Sequence, residues 1–347
     1  MKKYVHGGDI YRHPGVLDFS ANINPLGTPE NVIQAAAKSL EQICHYPDAQ
    51  QTKLKEALSE YEQVLEEWLI CGNGAAELIF ALVQALHPKK ALLPAPTFAE
   101  YEQALRGIGC EITYEVLRRD RGFVPEESIL EKITEELDLL FLCNPNNPTG
   151  VLAEPDLMKK ICLKCRETGT WLVIDECFLD FVKEPEVHTM KKMLWEYDRL
   201  FILKAFTKRY AMAGLRLGYG ITSSEKLLNR MEEGVQPWNV STPAQEAGIA
   251  ALKEEEYVQR ARALIFQEKD FLMTELRNFG YTVCDSQANY IFFHGEENLK
   301  EKLMKENIMI RDCSNYPGLK KGDFRIAVRT HEENCRLVEA IRKGREQ

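Results

Sequence analysis

Short apolar runs alternate with stretches of helical periodicity between residues 68 and 221, and this alternation constrains the fold more than any other feature. Strands that are joined through helices run parallel, and right-handed crossovers place those helices on both faces of the sheet. The pattern therefore predicts an α/β domain with a mainly parallel sheet. The predicted strands are 68–71, 91–94, 111–116, 137–143, 170–175, 200–204 and 215–221.

Helical patterns precede the first strand and fill most of the intervals between the strands. The predicted helices are 31–42, 52–60, 76–86, 98–108, 127–136 and 155–168. The last two strands are joined too closely for a helix, which allows one of them to run antiparallel.

The chain after residue 231 has a different pattern, in which a long helical region at 243–279 leads into short strands. The predicted elements are strands at 281–284, 290–293, 308–311 and 324–328, and helices at 299–306 and 332–343. We therefore expect three parts. They are an N-terminal arm at 1–30, a large α/β domain at 31–235, and a connecting helix with a smaller α+β domain at 236–347.

The charge and cysteine content argue against several function classes. The formal net charge of −9 for 347 residues disfavours nucleic acid or an anionic membrane surface as a partner. No apolar run approaches the roughly 20 residues that span a bilayer, and no signal-like segment follows Met1. Cys162 and Cys165 form a C-x-x-C without a second pair, so we expect buried thiols and no metal site. These features predict a soluble protein of the cytoplasm.

Four loops at the carboxyl ends of predicted strands carry groups that bind or react with small molecules. The glycine turn at 72–76 opens a helix whose first amides are free to bind a phosphate. The loop NPNNPTG at 144–150 projects an amide, and Asp175 ends an apolar strand. Lys208 follows another strand, with Arg216 eight residues later, and its amine could condense with an aldehyde such as that of pyridoxal phosphate. Taken singly, these features also fit a plain glycine turn, a capping aspartate and a solvated lysine.

Taken together, these motifs resemble one family. The NNPTG at 146–150, an aspartate that closes a buried strand, the pair Thr207-Lys208 and an arginine eight positions later are similar to the class I/II aminotransferases, which are fold type I pyridoxal-phosphate enzymes. The resemblance extends over essentially the whole chain. It implies pyridoxal 5'-phosphate as cofactor, a seven-stranded sheet in the large domain, and a homodimer with shared active sites.

The resemblance assigns the residues around the cofactor ring by motif. Lys208 would condense with the cofactor aldehyde, and Asp175 would pair with the pyridine nitrogen and keep it protonated. Asn147 would hydrogen-bond the ring hydroxyl oxygen and also border the substrate. Phe98 would stack on the ring, although a core aromatic at a helix start is nearly as good an interpretation of that residue alone.

For the cofactor phosphate, the resemblance implies ligands from several segments. The backbone amides of Ala75 and Ala76, the hydroxyl of Thr207 and the guanidinium of Arg216 would bind it. Tyr46 matches a tyrosine that reaches the phosphate from the neighbouring subunit, so its role presupposes the dimer. Without the resemblance, Tyr46 would be interpreted as a surface turn residue.

Two positions depart from the family pattern. Phe178 stands three residues after Asp175, where the aminotransferases usually have a tyrosine that also contacts the ring hydroxyl. Ala205 stands three residues before Lys208, where a phosphate-binding hydroxyl is common. The first departure suits a decarboxylating branch of the family, and the second removes one phosphate contact.

Segments near the substrate distinguish two branches of the family. One branch decarboxylates L-threonine O-3-phosphate in cobalamin synthesis, and the other transaminates histidinol phosphate, an amino alcohol without a carboxylate. The segments that are similar to the first branch are 6–8, 18–27, 236–241, 311–319 and 324–329. In the last of these, Arg325 and Arg329 share one face of a predicted strand. Arg329 matches no role, so we expect it to be solvated or ion-paired.

The substrate roles follow from the same resemblance. Arg325 matches the family's carboxylate-binding arginine, which a substrate with an α-carboxylate requires. Arg311 would bind the substrate phosphate together with His6 and Gly7 of the arm, and Asn22 would also contact the substrate. A phosphorylated amino acid would neutralise these cations with two anionic groups.

Overall fold

A computed structural model describes residues 6–346 and has a seven-stranded sheet at its centre. The strands are β2 (Leu69–Asn73), β3 (Lys90–Ala95), β4 (Glu111–Val116), β5 (Leu139–Cys143), β6 (Trp171–Asp175), β7 (Leu200–Ala205) and β8 (Leu217–Ile221). Their order across the sheet is β2-β8-β7-β6-β5-β3-β4. Within this sheet, β8 alone runs antiparallel to its neighbours. The prediction of a mainly parallel sheet is confirmed, and the reversed strand is one of the closely joined pair.

The strand sequences are continuously apolar because both faces of the sheet are covered. Along β6, Leu172 and Ile174 pack into one hydrophobic cluster and Val173 into the other. Helices that contribute to the first cluster include α1 (Glu30–Ser39), α2 (Thr52–Glu62), α5 (Pro155–Thr168) and α9 (Thr242–Ala251). Helices that contribute to the second include α3 (Ala75–Leu86), α4 (Ala99–Gly107) and α8 (Glu225–Gly234). Cys162 and Cys165 of α5 are buried in the first cluster, as predicted.

The C-terminal part of the chain contains a second, antiparallel sheet. Its strands are β9 (Thr282–Val283), β10 (Tyr290–His294), β12 (Arg311–Asp312) and β13 (Asp323–Ala327), in the order β12-β13-β10-β9. The helices around it are α10 (Glu255–Asn278), α11 (Leu299–Lys305) and α12 (His331–Glu346). In the N-terminal arm, β1 (Leu17–Asp18) pairs in parallel with β11 (Ile308–Met309), which fixes the arm beside this sheet.

Several predicted elements differ from the structure. The helix predicted at 127–136 is a 3₁₀ helix over Glu127–Lys132, and Ile133 is already extended. Buried Ile129 and Ile133 give the helical spacing, but the β-branched pair Ile133-Thr134 disfavours a further helical turn.

Two further differences concern the boundaries of predicted elements, and a third is a helix that was not predicted. The helix predicted at 243–279 is divided into α9 and α10, and Glu254 between them has a non-helical backbone conformation. The strand predicted at 308–311 is divided into β11 and β12, which pair with different partners. α8 was not predicted, although Ser224 caps it by accepting a hydrogen bond from the amide of Leu227.

Two shorter helices complete the chain, α6 (Pro185–His188) and α7 (Phe206–Arg209). α7 directly follows β7 and contains Lys208, in agreement with the prediction that this lysine follows a strand. Among the described residues 6–346, none of the helices has both the length and the apolar character needed to cross a bilayer.

Candidate active site

The predicted site residues converge on one cavity of about 380 Å³ at the carboxyl ends of the central strands. This volume is within the range of small-molecule sites, on the order of 300–1,000 Å³. The predicted residues that line it are His6, Gly7, Asn22, Ala75, Ala76, Phe98, Asn147, Asp175, Thr207, Lys208, Arg216, Arg311 and Arg325. Loops that follow β2, β5, β6 and β7 supply the central members, and the arm and the C-terminal sheet supply the rest.

Lys208 projects its amine into this cavity from α7. Burial, together with the positive charges of Arg325 and Arg216, lowers the pKa of the amine to about 8. Among residues 6–346, no hydrogen bond or ion pair engages this amine, which lies over the ring of Phe178 with Nζ 5.9 Å from the ring centre. A lysine with a lowered pKa and a free amine is the form that attacks an aldehyde.

Asp175 is the last residue of β6 and is 5% exposed. Its Oδ2 accepts a hydrogen bond of 2.5 Å from the hydroxyl of Tyr101, and its Oδ1 accepts one of 2.9 Å from the amide of Cys177. Burial raises the pKa of this carboxyl, whereas these hydrogen bonds oppose the rise. Within residues 6–346, no cationic side chain pairs with it. The carboxylate therefore suits a cationic nitrogen supplied by a ligand.

In another part of the cavity lining, the N-terminus of α3 lies beside Arg216. The amides of Ala75 and Ala76 belong to the first turn and have no partner within the helix. A Cβ at Gly74 would lie 2.4 Å from Nη2 of Arg216, so the glycine allows the guanidinium to approach this helix end. Arg216 itself has a φ of 57°, an uncommon backbone conformation for a non-glycine residue. Free amides, a guanidinium and the neighbouring Thr207 form a site suited to a phosphate.

Two arginines lie on neighbouring strands of the C-terminal sheet. Arg311 of β12 and Arg325 of β13 are directly opposite in the antiparallel register, and both line the cavity. Arg325 donates to the side-chain oxygen of Asn147 and, at 2.9 Å, to the carbonyl of Ser20, while its buried Nε has no partner. Like charges directly opposite each other are destabilising in a sheet, so this end of the cavity is suited to an anion.

Comparison with known proteins identifies the family. Residues 14–341 match the family model described as aminotransferase class I and II. The chain belongs to the class I and II aminotransferase family. It is 38% identical to the threonine-phosphate decarboxylase of Salmonella typhimurium, over 97% of this chain and 96% of that protein. It is 32% identical to the histidinol-phosphate aminotransferase of Symbiobacterium thermophilum, over 99% and 96% of the two chains.

Solved structures confirm the fold type. The histidinol-phosphate aminotransferase of Clostridium acetobutylicum superposes with a TM-score of 0.90 at 28% identity, covering 96% of this chain and all of that one. The chain is therefore a pyridoxal-phosphate-dependent enzyme of this family.

The cavity fits the cofactor of this family. The unpaired, buried carboxylate of Asp175 matches the pyridine nitrogen, and the side chain of Lys208 places an amine nearby. The free amides of α3 and the guanidinium of Arg216 match the phosphate. The individual roles of these residues remain predictions.

Several residues that the sequence analysis missed also reach the cavity. Glu100, in the first turn of α4, lies with Oε1 3.1 Å from Nδ1 of His6, while its Oε2 is buried without a partner. This hydrogen bond raises the pKa of His6, and burial and Arg311 oppose it. Glu100 follows Phe98, the predicted ring-stacking residue, by two positions, and this closeness in sequence could have indicated that Glu100 is part of the site. Ser20 and Tyr316 line the cavity as well.

The arm reaches the cavity by a close backbone approach. A Cβ at Gly7 would lie 2.2 Å from the carbonyl oxygen of Ser20, so only a glycine permits this contact. The amide of Gly8 donates to Oγ of Ser20 at 2.7 Å. Asn22 lies farther along the arm, and its Oδ1 is buried without a partner. The arm therefore presents His6 and an unused amide oxygen to a ligand.

Two residues lie outside the cavity. Tyr46 is 78% exposed and stacks on Trp238 with ring centres 4.4 Å apart. Its predicted role belongs to a neighbouring subunit and is not tested by a single chain. Arg329 pairs with Glu333 at 2.7 Å and donates to the carbonyl of Asp18, so the prediction of an ion-paired arginine is confirmed. The two departures from the family pattern, Phe178 and Ala205, both line the cavity.

A network of buried ion pairs includes residues that are close in sequence to Lys208 and Asp175. Glu62 of α2 contacts Lys191 at 2.7 Å and Lys204 of β7 at 3.3 Å, and it accepts a hydrogen bond from Tyr219 of β8. Lys204 also lies 3.7 Å from Glu176, the residue that follows Asp175. The network connects α2, β7 and β8 with the residue that follows β6.

Proposed function

We propose that this enzyme decarboxylates L-threonine O-3-phosphate to 1-amino-2-propanol O-phosphate. The observation that carries the proposal is the opposed pair Arg311 and Arg325 at one end of the cavity, with His6 nearby. A phosphorylated amino acid has two anionic groups for these cations, whereas histidinol phosphate has one. The 38% identity to a threonine-phosphate decarboxylase supports the same reading.

In this proposal, one set of residues holds the cofactor and another set holds the substrate. Pyridoxal phosphate, when bound, withdraws electrons from the α-carbon of the substrate. Asp175 and Asn147 would hold its ring, and Arg216, Thr207 and the amides at the start of α3 would hold its phosphate.

At the substrate end, Arg325 would bind the α-carboxylate, and Arg311 with His6 would bind the substrate phosphate. Anchoring both anions orients the bond between the α-carbon and the carboxylate. When that bond breaks, CO₂ leaves and the electron pair remains at the α-carbon. The Lys208 amine, with a pKa of about 8, can then return a proton to that carbon as a general acid.

A second candidate is transamination of histidinol phosphate. It is favoured by the Clostridium acetobutylicum aminotransferase structure and the 32% identical relative, because the same cofactor site supports both reactions. The choice depends on which bond of the substrate the cavity orients for cleavage.

One assay separates the candidates. The purified enzyme with pyridoxal phosphate is incubated with L-threonine O-3-phosphate and no 2-oxo acid, and we expect release of CO₂ and of phosphorylated aminopropanol. L-Serine O-phosphate is tested in parallel, because one methyl group in a pocket discriminates by only about 1–3 kcal/mol. Turnover of histidinol phosphate that strictly requires 2-oxoglutarate, without CO₂ release, would select the second candidate. Lys208→Ala is the inactive control.

The oligomeric state and location belong to the same proposal. Tyr46 is expected to complete the phosphate site of a second copy, which gives a homodimer with shared sites. All ten cysteines are free thiols, and this supports a cytoplasmic location. The role in cobalamin synthesis rests on the sequence resemblance.

A further inference from the structure

Tyr101 connects α4 to the carboxylate that faces the cofactor ring. Its hydroxyl donates to Oδ2 of Asp175 at 2.5 Å, the distance of a short charge-assisted hydrogen bond. The side chain is completely buried, and its ring stacks on Phe141 of β5 with centres 4.7 Å apart. The ring is thus held by packing, and its hydroxyl is directed at the Asp175 carboxylate.

The hydrogen bonds on Asp175 leave room for a ligand. Tyr101 occupies one lone pair of Oδ2, and the Cys177 amide occupies one lone pair of Oδ1. Each carboxylate oxygen can accept one more donor. Burial together with the charge of Asp175 raises the pKa of Tyr101 well above its usual value, so the phenol keeps its proton and acts as a donor.

We propose, on the basis of the function given above, that Tyr101 is a positioning residue that keeps the shared proton on the cofactor ring nitrogen and not on Asp175. A carboxylate in a desolvated site competes with a pyridine nitrogen for that proton. A hydrogen bond donated to the ionised carboxylate lowers its basicity and leaves the proton on the nitrogen. Electron withdrawal from the substrate depends on that protonated nitrogen.

The Cys177 thiol is a second titratable donor beside Asp175, because its hydrogen bond lowers the pKa of that carboxyl, as does the hydrogen bond from Tyr101. Burial raises the pKa of the Cys143 thiol and of the Cys177 thiol well above the usual value, so both stay neutral. Glu100 carries the same charge sign as Asp175 and raises the pKa of its carboxyl. The Cys177 thiol, the Tyr101 hydroxyl and the Cys177 amide therefore together stabilise the ionised carboxylate against burial.

The test uses Tyr101→Phe, which removes the hydroxyl and keeps the stacked ring. The holoenzyme is prepared with pyridoxal phosphate labelled with ¹⁵N in the ring, and the ring resonance is recorded at neutral pH. We expect the resonance to move toward the value of unprotonated pyridine. In the cofactor-free chain, loss of the donor raises the pKa of Asp175. The affinity for pyridoxal phosphate decreases at acid pH, and we expect the midpoint of this decrease, the acid limb, to move up by about one pH unit.

Two further variants make the result decisive. Tyr197→Phe is the control, because Tyr197 is a buried tyrosine outside the cavity whose hydroxyl donates to the Thr170 carbonyl, and neither readout is expected to change. Incorporation of 3-fluorotyrosine at position 101 keeps the stacked ring and strengthens the donor, so the ring resonance should stay at the value of protonated pyridine and the acid limb should move to lower pH.

Different outcomes would contradict the proposed role of Tyr101 and the proposed cofactor site. Unchanged resonance and unchanged acid limb in Tyr101→Phe, or an unchanged acid limb in the fluorotyrosine protein if the phenylalanine variant does not fold, would overturn the role of Tyr101. Absence of pyridoxal phosphate binding, or an unprotonated ring nitrogen in the unsubstituted enzyme, would instead defeat the assignment of the cofactor site.

Discussion

The amine of Lys208 lies over the face of Phe178, with Nζ 5.9 Å from the ring centre, and no carboxylate of residues 6–346 pairs with it. Most buried lysines are paired, because an isolated ammonium is costly to desolvate. Lys204, four residues earlier, shows the usual solution, since Glu62 and Glu176 surround its ammonium. The two lysines therefore differ in reactivity although they are close in sequence.

We predict that Lys208 reacts with aldehydes at much lower pH than an ordinary lysine. Its pKa of about 8 means that half of the amines are neutral near pH 8, and the neutral fraction increases above that pH. The cofactor-free chain is treated with pyridoxal phosphate and borohydride at a series of pH values, and labelled peptides are quantified. Labelling of Lys208 should have a midpoint near pH 8, while Lys204 stays unlabelled because its carboxylate partners raise its pKa. A midpoint near pH 10.5 would contradict the assignment.

Substitution of Arg325 should affect the substrate far more than substitution of Arg329. Arg325→Met removes the cation expected to bind the α-carboxylate and leaves Arg311 for the phosphate, so we expect kcat/KM to fall about 100-fold or more. Arg329→Met is the matched control, because that arginine pairs with Glu333 outside the cavity. Steady-state kinetics with threonine phosphate measure both. Equal losses in the two variants would show that Arg325 has no specific role.

Glu100→Gln should change the pH dependence of substrate binding. The Glu100 hydrogen bond raises the pKa of His6, so the imidazolium persists to higher pH than in a free histidine. Without it, His6 loses its proton at lower pH, and KM for threonine phosphate should begin to increase at lower pH. Glu102→Gln is the control, since Glu102 pairs with Arg106 on the same helix. KM profiles that coincide for Glu100→Gln and the unsubstituted enzyme would exclude this role.

Glu62→Gln should destabilise the fold. Burial alone would raise the pKa of Glu62, but Lys204 and Lys191 lower it to about 2. Removing the charge leaves both ammonium groups without this partner, which costs about 3–5 kcal/mol of unfolding free energy. Because the folded pKa is below the ordinary value of 4.5, this stability is present above pH 4.5 and lost as the pH falls toward 2.

Urea unfolding of the cofactor-free chain measures this effect. The difference between Glu62→Gln and the unsubstituted chain should be largest at neutral pH and should narrow below pH 4. Glu67→Gln, at an exposed position, is expected to change the unfolding free energy by less than about 0.5 kcal/mol. A difference that does not depend on pH would argue that the carboxylate charge is unimportant.

Tyr46 provides a test of shared active sites. If Tyr46 serves the neighbouring subunit, a mixed dimer of Lys208→Ala and Tyr46→Ala chains contains one intact site. Random mixing of the two chains should then restore about one quarter of the activity per chain. Mixing Lys208→Ala with Asp175→Asn is the control and should restore nothing, because both defects fall in the site of their own subunit. Failure of the first mixture to regain activity would place Tyr46 outside the site.

Much of the candidate site follows from local sequence. The loop NPNNPTG, Asp175 and Lys208 each follow an apolar strand, and parallel strands end at one edge of the sheet, so their convergence could be predicted. Predictions were less successful where periodicity alone was the guide. The segment 127–136 has a helical spacing of isoleucines and yet forms only a short 3₁₀ helix, because buried anchors four residues apart do not require a helix between them.

The sequence by itself determined the layered α/β architecture and the ends of the strands that carry the chemistry, because apolar periodicity and turn residues act over a few residues. Only the tertiary structure decided which distant side chains meet. Arg311 lies opposite Arg325 because of the register between two strands, and Tyr101 reaches Asp175, 74 residues away, because α4 packs beside β3 and β4 and its tyrosine extends to Phe141 of β5. Strand register and helix packing depend on the whole core, so no local pattern encodes these pairs.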